Sequence, residues 1–172
     1  MDNIKTTEEL LGFLKNSPTA FQAVEEIGKK LTEAGFAKLG EHENWDIVPG
    51  GKYFVTRNGS SVIAFSVPKK YAHSFMITAS HTDSPTFKLK SAFEAEACGK
   101  YVKLNVEGYG GMILSSWLDR PLSIAGRLIV KDGSKITTKN VNIDRDLVLI
   151  PNVAIHQNRQ INSGFSYNIA VD

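Results

Sequence analysis

The side chains with the clearest capacity for chemistry are those of His81 and Asp83, in the sequence HTDSP that follows the apolar run at residues 75–79. A buried strand that delivers a histidine and an aspartate at its carboxyl end is a common start of a metal site in an open α/β sheet, because ligands collect in the crevice beyond the strand ends. Neutral imidazole is a good zinc ligand, and a neighbouring carboxylate can hold the ring's other N–H. Residues two apart in an extended segment point the same way, so Asp83 is expected beside His81.

The same residues have a plainer interpretation, and the three-residue pattern alone does not choose between the two. Asp83 and Ser84 can simply satisfy backbone groups in a turn at the end of a strand. A zinc site also needs three or four protein ligands, and no metal-binding spacing relates the remaining histidines, which are His42, His73 and His156. The residues alone therefore predict a metal site that begins at His81 and is not completed within the 172 residues.

Two helices are predicted ahead of this segment. Residues 6–9 form a capping box that opens the first helix, which must end before Pro18. Ser17 and Pro18 are expected to begin a second helix, whose apolar residues recur at helical spacing as far as Gly35.

The beginning of a mixed sheet is predicted to follow the helices. Asn58-Gly59 is expected to turn a hairpin between strands at 52–57 and 61–67. The next predicted strand, 74–80, is more continuously apolar than these two and is expected to be buried on both faces. It would deliver His81 at its carboxyl end.

The second half of the chain is predicted to be rich in strands. Alternating segments recur there at residues 101–106, 122–130 and 135–143. Asp132-Gly133 lies between the last two of these and favours another hairpin. We therefore predict two domains, residues 1–90 and residues 91–172.

Composition excludes several classes of function. The chain has 42% hydrophobic and 22% charged residues, which is typical of a globular protein. Its net charge of +2 is small and its basic residues are scattered along the chain, so neither a nucleic-acid nor a membrane partner is expected. Cys98 is the single cysteine, which excludes an intramolecular disulfide and favours a reducing compartment. With no signal-peptide pattern and no long apolar run, we expect a cytoplasmic protein.

Several segments carry a resemblance to a known family. They are SPTAF at 17–21, SHTDSP at 80–85, GYGG at 108–111, WLDRPLSIAGR at 117–127 and IPNVAIHQNR at 150–159. Together and in this order they resemble the aspartyl aminopeptidases, the M18 family of dinuclear-zinc metallopeptidases. The resemblance covers nearly the whole chain.

The resemblance implies an α/β fold and a set of site residues. Residues 1–90 would be the N-terminal part of a mixed-sheet zinc-peptidase catalytic domain, and 91–172 an incomplete β-rich dimerisation domain. In such enzymes the histidine matching His81 binds one of two metal ions, which are zinc or other divalent ions. The aspartate matching Asp83 supports that histidine, and the histidine matching His156 reaches a neighbouring subunit's active site and contacts the substrate. A peptide substrate, with Asp or Glu at its N-terminus, and a homo-oligomer built from dimers are implied.

The family usually continues well past this length, and the further part carries the remaining metal ligands and the general base. We therefore expect an N-terminal fragment, inactive alone, of an aminopeptidase that cleaves peptides with a metal-activated water. The alternative is a complete, non-catalytic oligomerisation or binding module in which His81 is vestigial. The related glutamyl aminopeptidases share the H-x-D start, but Ser84-Pro85 and the segment 117–127 argue against them.

Overall fold

Residues 3–70 and 74–164 are described by the computed structural model, and their contacts divide them into two units. The first unit comprises Met1–Asp83 and Ala125–Asp144, and the second comprises Ser84–Ile124 and Arg145–Asp172, as far as each is described. Both helices and strands are present, so the predicted mixed α/β class is confirmed.

Both predicted helices are present, α1 at Asn3–Asn16 and α2 at Ala20–Glu33. The capping box predicted at residues 6–9 is wrong, because these residues lie inside α1. The capping residue of α2 is Thr19, which has an extended backbone and whose hydroxyl oxygen accepts a hydrogen bond from the Phe21 N–H at 3.2 Å. The predicted start at Ser17-Pro18 was therefore too early, because the N-cap is the last extended residue before the helix. No helix among the described residues is long and apolar enough to cross a membrane.

The core of the first unit lies under α2. This helix buries Ala23 and Val24 on one face, and the facing sheet contributes Phe54, which is only 2% exposed. Tyr53 is also buried, but it points to the opposite face of the sheet and packs against Phe65. Gly35 ends the helix region with a φ of +80°, a conformation that glycine adopts without strain.

The sheet of the first unit has the order β1-β2-β3, with β1 at Ala37–Leu39, β2 at Lys52–Arg57 and β3 at Ser61–Ser66. β1 and β2 are parallel, whereas β2 and β3 form the predicted antiparallel hairpin. Asn58 and Gly59 have φ values of +53° and +63°, as the tight hairpin turn requires. The Asn-Gly signal was therefore interpreted correctly.

The second unit is built on a long hairpin, β4 at Thr86–Ala97 and β5 at Tyr101–Tyr109, with a register shift between Leu89 and Glu94. The predicted strand at 101–106 lies inside β5. Trp117 packs its ring edge-on against Phe87, with centroids 5.5 Å apart.

The hairpin predicted around Asp132-Gly133 is confirmed as β6 at Ala125–Asp132 and β7 at Lys135–Asn142. It belongs to the first unit, where the buried Gln22 of α2 donates hydrogen bonds to the carbonyl groups of Val141 (3.0 Å) and Gly126 (3.4 Å). The division into a catalytic domain at 1–90 and a dimerisation domain at 91–172 stays a prediction.

The strand predicted at 74–80 is wrong, because these residues have no regular secondary structure. Phe75, Met76 and Ile77 are 94%, 100% and 82% exposed, and therefore do not lie in a buried strand. A strand requires a neighbour for its backbone N–H and C=O groups, and within the described ranges the only neighbour of β3 in its sheet is β2. The apolar pattern was real, but burial depends on a partner that the pattern does not supply.

Candidate functional site

His81 and Asp83 lie side by side at the end of the first unit, in a segment without regular secondary structure. Nδ1 of His81 is 2.8 Å from the backbone carbonyl oxygen of Asp83 and 3.4 Å from its carboxylate Oδ1. Both oxygens are acceptors, so the neutral ring donates from Nδ1 and keeps its lone pair on Nε2. The side chain of His81 is 79% exposed, which leaves the ring accessible to a ligand.

Thr82, between these two residues, connects the segment to the sheet. Its hydroxyl group donates to the carbonyl oxygen of Ser60 at 2.7 Å, in the turn between β2 and β3. The same turn is also held by Arg127, whose Nη1 donates to the Asn58 carbonyl oxygen at 2.5 Å. Arg127 also stacks its guanidinium over the ring of Phe21, 4.1 Å from the centroid. Side chains of α2 and β6 therefore help to fix the turn that anchors the His81 segment.

Two of the segments that carry the family resemblance meet within the second unit. Gly110 has a φ of +75°, and a Cβ atom there would lie 3.5 Å from atoms of Pro85. Gly110 of GYGG thus adopts a left-handed backbone conformation, and the side of its Cα where a Cβ atom would lie packs against Pro85 of HTDSP.

His156 lies in the second unit, in an exposed turn at residues 155–157. The turn is closed by the N–H of Gln157, which donates to the carbonyl oxygen of Ala154 at 2.8 Å. Upstream of it, the carboxylate of Asp119 accepts the backbone N–H of Asn152 at 2.8 Å. His81 and Asp83 are thus brought together, and His156 belongs to the other unit. His73 is outside the described residues.

The chemistry of the predicted metal site can be tested on the donors present. An imidazole whose Nδ1 faces Asp83 fits one zinc ligand, because zinc-bound histidines usually donate their other N–H to a carboxylate or carbonyl oxygen. In the part of the chain that the structure describes, no group of three or more His, Cys, Asp or Glu residues is arranged to hold a metal ion. The described residues thus fit one ligand and its support, and not a whole coordination sphere.

A groove of about 560 Å³ lies elsewhere in the first unit, and its lining does not include His81 or Asp83. It runs beside α2 and its lining includes Phe21, Val24, Lys38, Phe54 and Asn140. On its rim, a hydrogen bond from Lys29 Nζ to Glu26 Oε1 at 2.6 Å raises the pKa of Lys29. We regard His81 as the better candidate site, because this groove presents core side chains and solvated ion pairs.

Sequence reasoning missed the residues that hold the two histidine-bearing segments. Thr82 lies inside the motif, yet nothing in the sequence indicates that Ser60 accepts its hydrogen bond. Asp119 and Asn152 are 33 residues apart, and their pairing arises only in the folded unit.

Comparisons with known proteins identify one family. The family model described as aminopeptidase I zinc metalloprotease (M18) matches residues 13–172. A probable M18 family aminopeptidase 2 of Clostridium novyi is 48% identical over 99% of this chain and 40% of that protein. Aspartyl aminopeptidase 1 of Schizosaccharomyces pombe is 44% identical over 95% of this chain and 36% of that protein. The chain thus spans less than half the length of these curated relatives.

Solved structures agree with the sequence relatives. A cryo-EM structure of the Ape4 and Nbr1 complex contains a chain that is 44% identical, with a TM-score of 0.87 over 94% of this chain and 31% of that one. The mApe1 dodecamer of S. cerevisiae is 27% identical, with a TM-score of 0.76 over 91% of this chain and 37% of that one.

Proposed function

The chain belongs to the M18 family of zinc metalloproteases, and from that premise we propose that the protein serves as a metalloaminopeptidase that removes acidic residues from the N-termini of peptides. The observation that carries the proposal is the contact between His81 and Asp83, which leaves Nε2 of the ring available. The preference for Asp or Glu is supported by the relative named an aspartyl aminopeptidase.

In this proposal His81 holds one of two zinc ions through Nε2. The carbonyl and carboxylate oxygens of Asp83 hold the ring in one tautomer and orientation, and the hydrogen bond from Thr82 to Ser60 fixes the backbone between them. Zinc, when bound, polarises the scissile carbonyl and lowers the pKa of a bound water. Because the imidazole is oriented before the metal arrives, less ordering is needed on binding.

His156 is proposed to donate a hydrogen bond to the substrate in a neighbouring subunit of a homo-oligomer built from dimers. Its exposed position in a closed turn supports this, because an exposed side chain can reach another subunit. The dodecameric mApe1 supports the oligomer. A donor aimed at a developing oxyanion is often worth about 3–4 kcal/mol of transition-state stabilisation. We also propose a cytoplasmic location, supported by the single cysteine.

The proposal is tested by assaying the complete gene product on peptides that differ only in the first residue, Asp, Glu, Ala or Leu. Turnover of the acidic peptides that a chelator abolishes and added zinc restores is the expected result. Chelator-insensitive turnover, or none on any peptide, would contradict it. A well-folded oligomer without turnover would instead support the non-catalytic module.

A further inference from the structure

Asp119 has an unusual backbone for a residue with a side chain. Its φ is +55°, in the left-handed region, which costs a typical residue about 1–2 kcal/mol and which Asp and Asn tolerate best. Its own N–H donates to the carbonyl oxygen of Ile150 at 3.0 Å. Its carboxylate Oδ1 accepts the N–H of Asn152 at 2.8 Å. One residue therefore binds the distant segment at two points, on either side of Pro151.

These two bonds are the start of a continuous connection to His156. An isolated parallel bridge pairs Leu118 with Ile150 immediately before them. After them, Oδ1 of Asn152 accepts the N–H of Val153 at 3.0 Å. The turn closed by the carbonyl oxygen of Ala154 then presents His156.

We propose that Asp119 is a positioning residue that fixes the course of residues 150–157, and through them the location of the His156 imidazole. The inference rests on the proposed function only in the clause that His156 acts on substrate. The left-handed backbone conformation directs both the carboxylate and the N–H of Asp119 toward the same segment. The strained conformation and the two hydrogen bonds are therefore expected to depend on each other.

Three substitutions separate the contribution of the acceptor oxygen from that of the left-handed backbone. Asp119→Asn keeps an oxygen acceptor and a residue that tolerates positive φ. Asp119→Gly adopts positive φ freely but removes the acceptor, so it tests the hydrogen bond without adding strain. Asp119→Ala removes the acceptor and adds strain. Asp46→Gly, at an exposed aspartate in the other unit, is the matched control.

The first experiment measures amide hydrogen exchange of residues 150–158 in the complete gene product. We expect exchange there to become about tenfold faster in Asp119→Gly, because a hydrogen bond to a charged acceptor is lost. Exchange should be faster still in Asp119→Ala, and close to wild type in Asp119→Asn and in Asp46→Gly. Unchanged exchange in both Asp119→Gly and Asp119→Ala would overturn the inference, whether or not the protein is a peptidase.

The second experiment is a double-mutant cycle between Asp119→Gly and His156→Ala, measured as kcat/KM on an acidic peptide. A positioning residue that acts through His156 should reduce kcat/KM by about tenfold in the wild type and by less than about twofold when His156 is already alanine. Equal losses in the two backgrounds would overturn the inference while leaving the proposed activity in place.

Discussion

The segment that carries His81 and the segment that carries His156 are held in different ways. Residues 148 and 150 form bridges to Leu122 and Leu118, and Asp119 caps the chain that continues from them. Residues 74–80 have no regular secondary structure, and Phe75, Met76 and Ile77 are exposed. The segment is anchored only after this stretch, where the hydroxyl group of Thr82 donates to Ser60 in the β2–β3 turn. The His156 segment is thus held at several points along its length, whereas the His81 segment is anchored at its end.

The difference shows what an apolar pattern can and cannot establish. The β-prone run before His81 has the composition of a buried strand, yet residues 74–80 are exposed in the part of the chain that the structure describes. The segment before His156 is less regular in sequence, and a few specific hydrogen bonds still give it a definite course. Order at the site therefore depends on anchoring contacts more than on strand propensity.

The largest expected effect comes from comparing a buried phenylalanine with an exposed one. Phe54→Ala should lower the free energy of unfolding by about 3–5 kcal/mol, because it opens a cavity under α2 where the ring is 2% exposed. Phe75→Ala should change it by less than about 0.5 kcal/mol, because that ring is 94% exposed. Urea denaturation of the 172-residue chain measures both. A loss of unfolding free energy at Phe75 as large as that at Phe54 would mean that Phe75 is buried, as the predicted strand at 74–80 requires.

A smaller effect tests the turn to which the His81 segment is anchored. Gly59→Ala should cost about 1–2 kcal/mol, because alanine must adopt the left-handed φ of +63°. Gly12→Ala, in the middle of α1 with open space around it, should instead stabilise the protein by about 0.5–1 kcal/mol. The two substitutions add the same methyl group, so thermal unfolding should show opposite shifts. Shifts of the same sign would contradict the turn geometry.

The smallest effect concerns the anchor itself. Thr82→Val keeps the shape of the side chain but leaves the carbonyl oxygen of Ser60 without its donor, at a cost of about 0.5–1.5 kcal/mol. Thr82→Ser keeps the hydroxyl group and should cost clearly less. Chemical denaturation gives the free energies, and amide exchange of residues 81–84 reports the loosening. Equal costs for the two variants would mean that packing of Thr82, and not its hydrogen bond, matters.

Much of the fold could be predicted because its signals are local. The helices follow from apolar spacing, and the hairpins follow from Asn58-Gly59 and Asp132-Gly133. The strand at 74–80 was predicted wrongly because the presence of a neighbouring strand depends on the tertiary fold, which a local pattern does not report. Strand β4, Thr86–Ala97, was not predicted, because the alternation of apolar and charged residues along it is interrupted at the register shift between Leu89 and Glu94.

The candidate site was predictable to the same extent. The contact of His81 with Asp83 follows from the period of an extended chain. The anchors could not be foreseen, because Thr82 meets Ser60 and Asp119 meets Asn152 only after the chain has folded.

The most direct test of the central claim is the zinc content and peptidase activity of the complete gene product when His81 is replaced by alanine, with His42→Ala as the matched control at another exposed histidine. Loss of a direct ligand should weaken zinc binding by at least about a hundredfold, since even outer partners of zinc-bound histidines contribute about 10–100-fold. His81→Ala should therefore lose zinc and activity together, while His42→Ala keeps both. If His81→Ala retains its zinc and its turnover, the imidazole at residue 81 is not a metal ligand and the proposed site is contradicted.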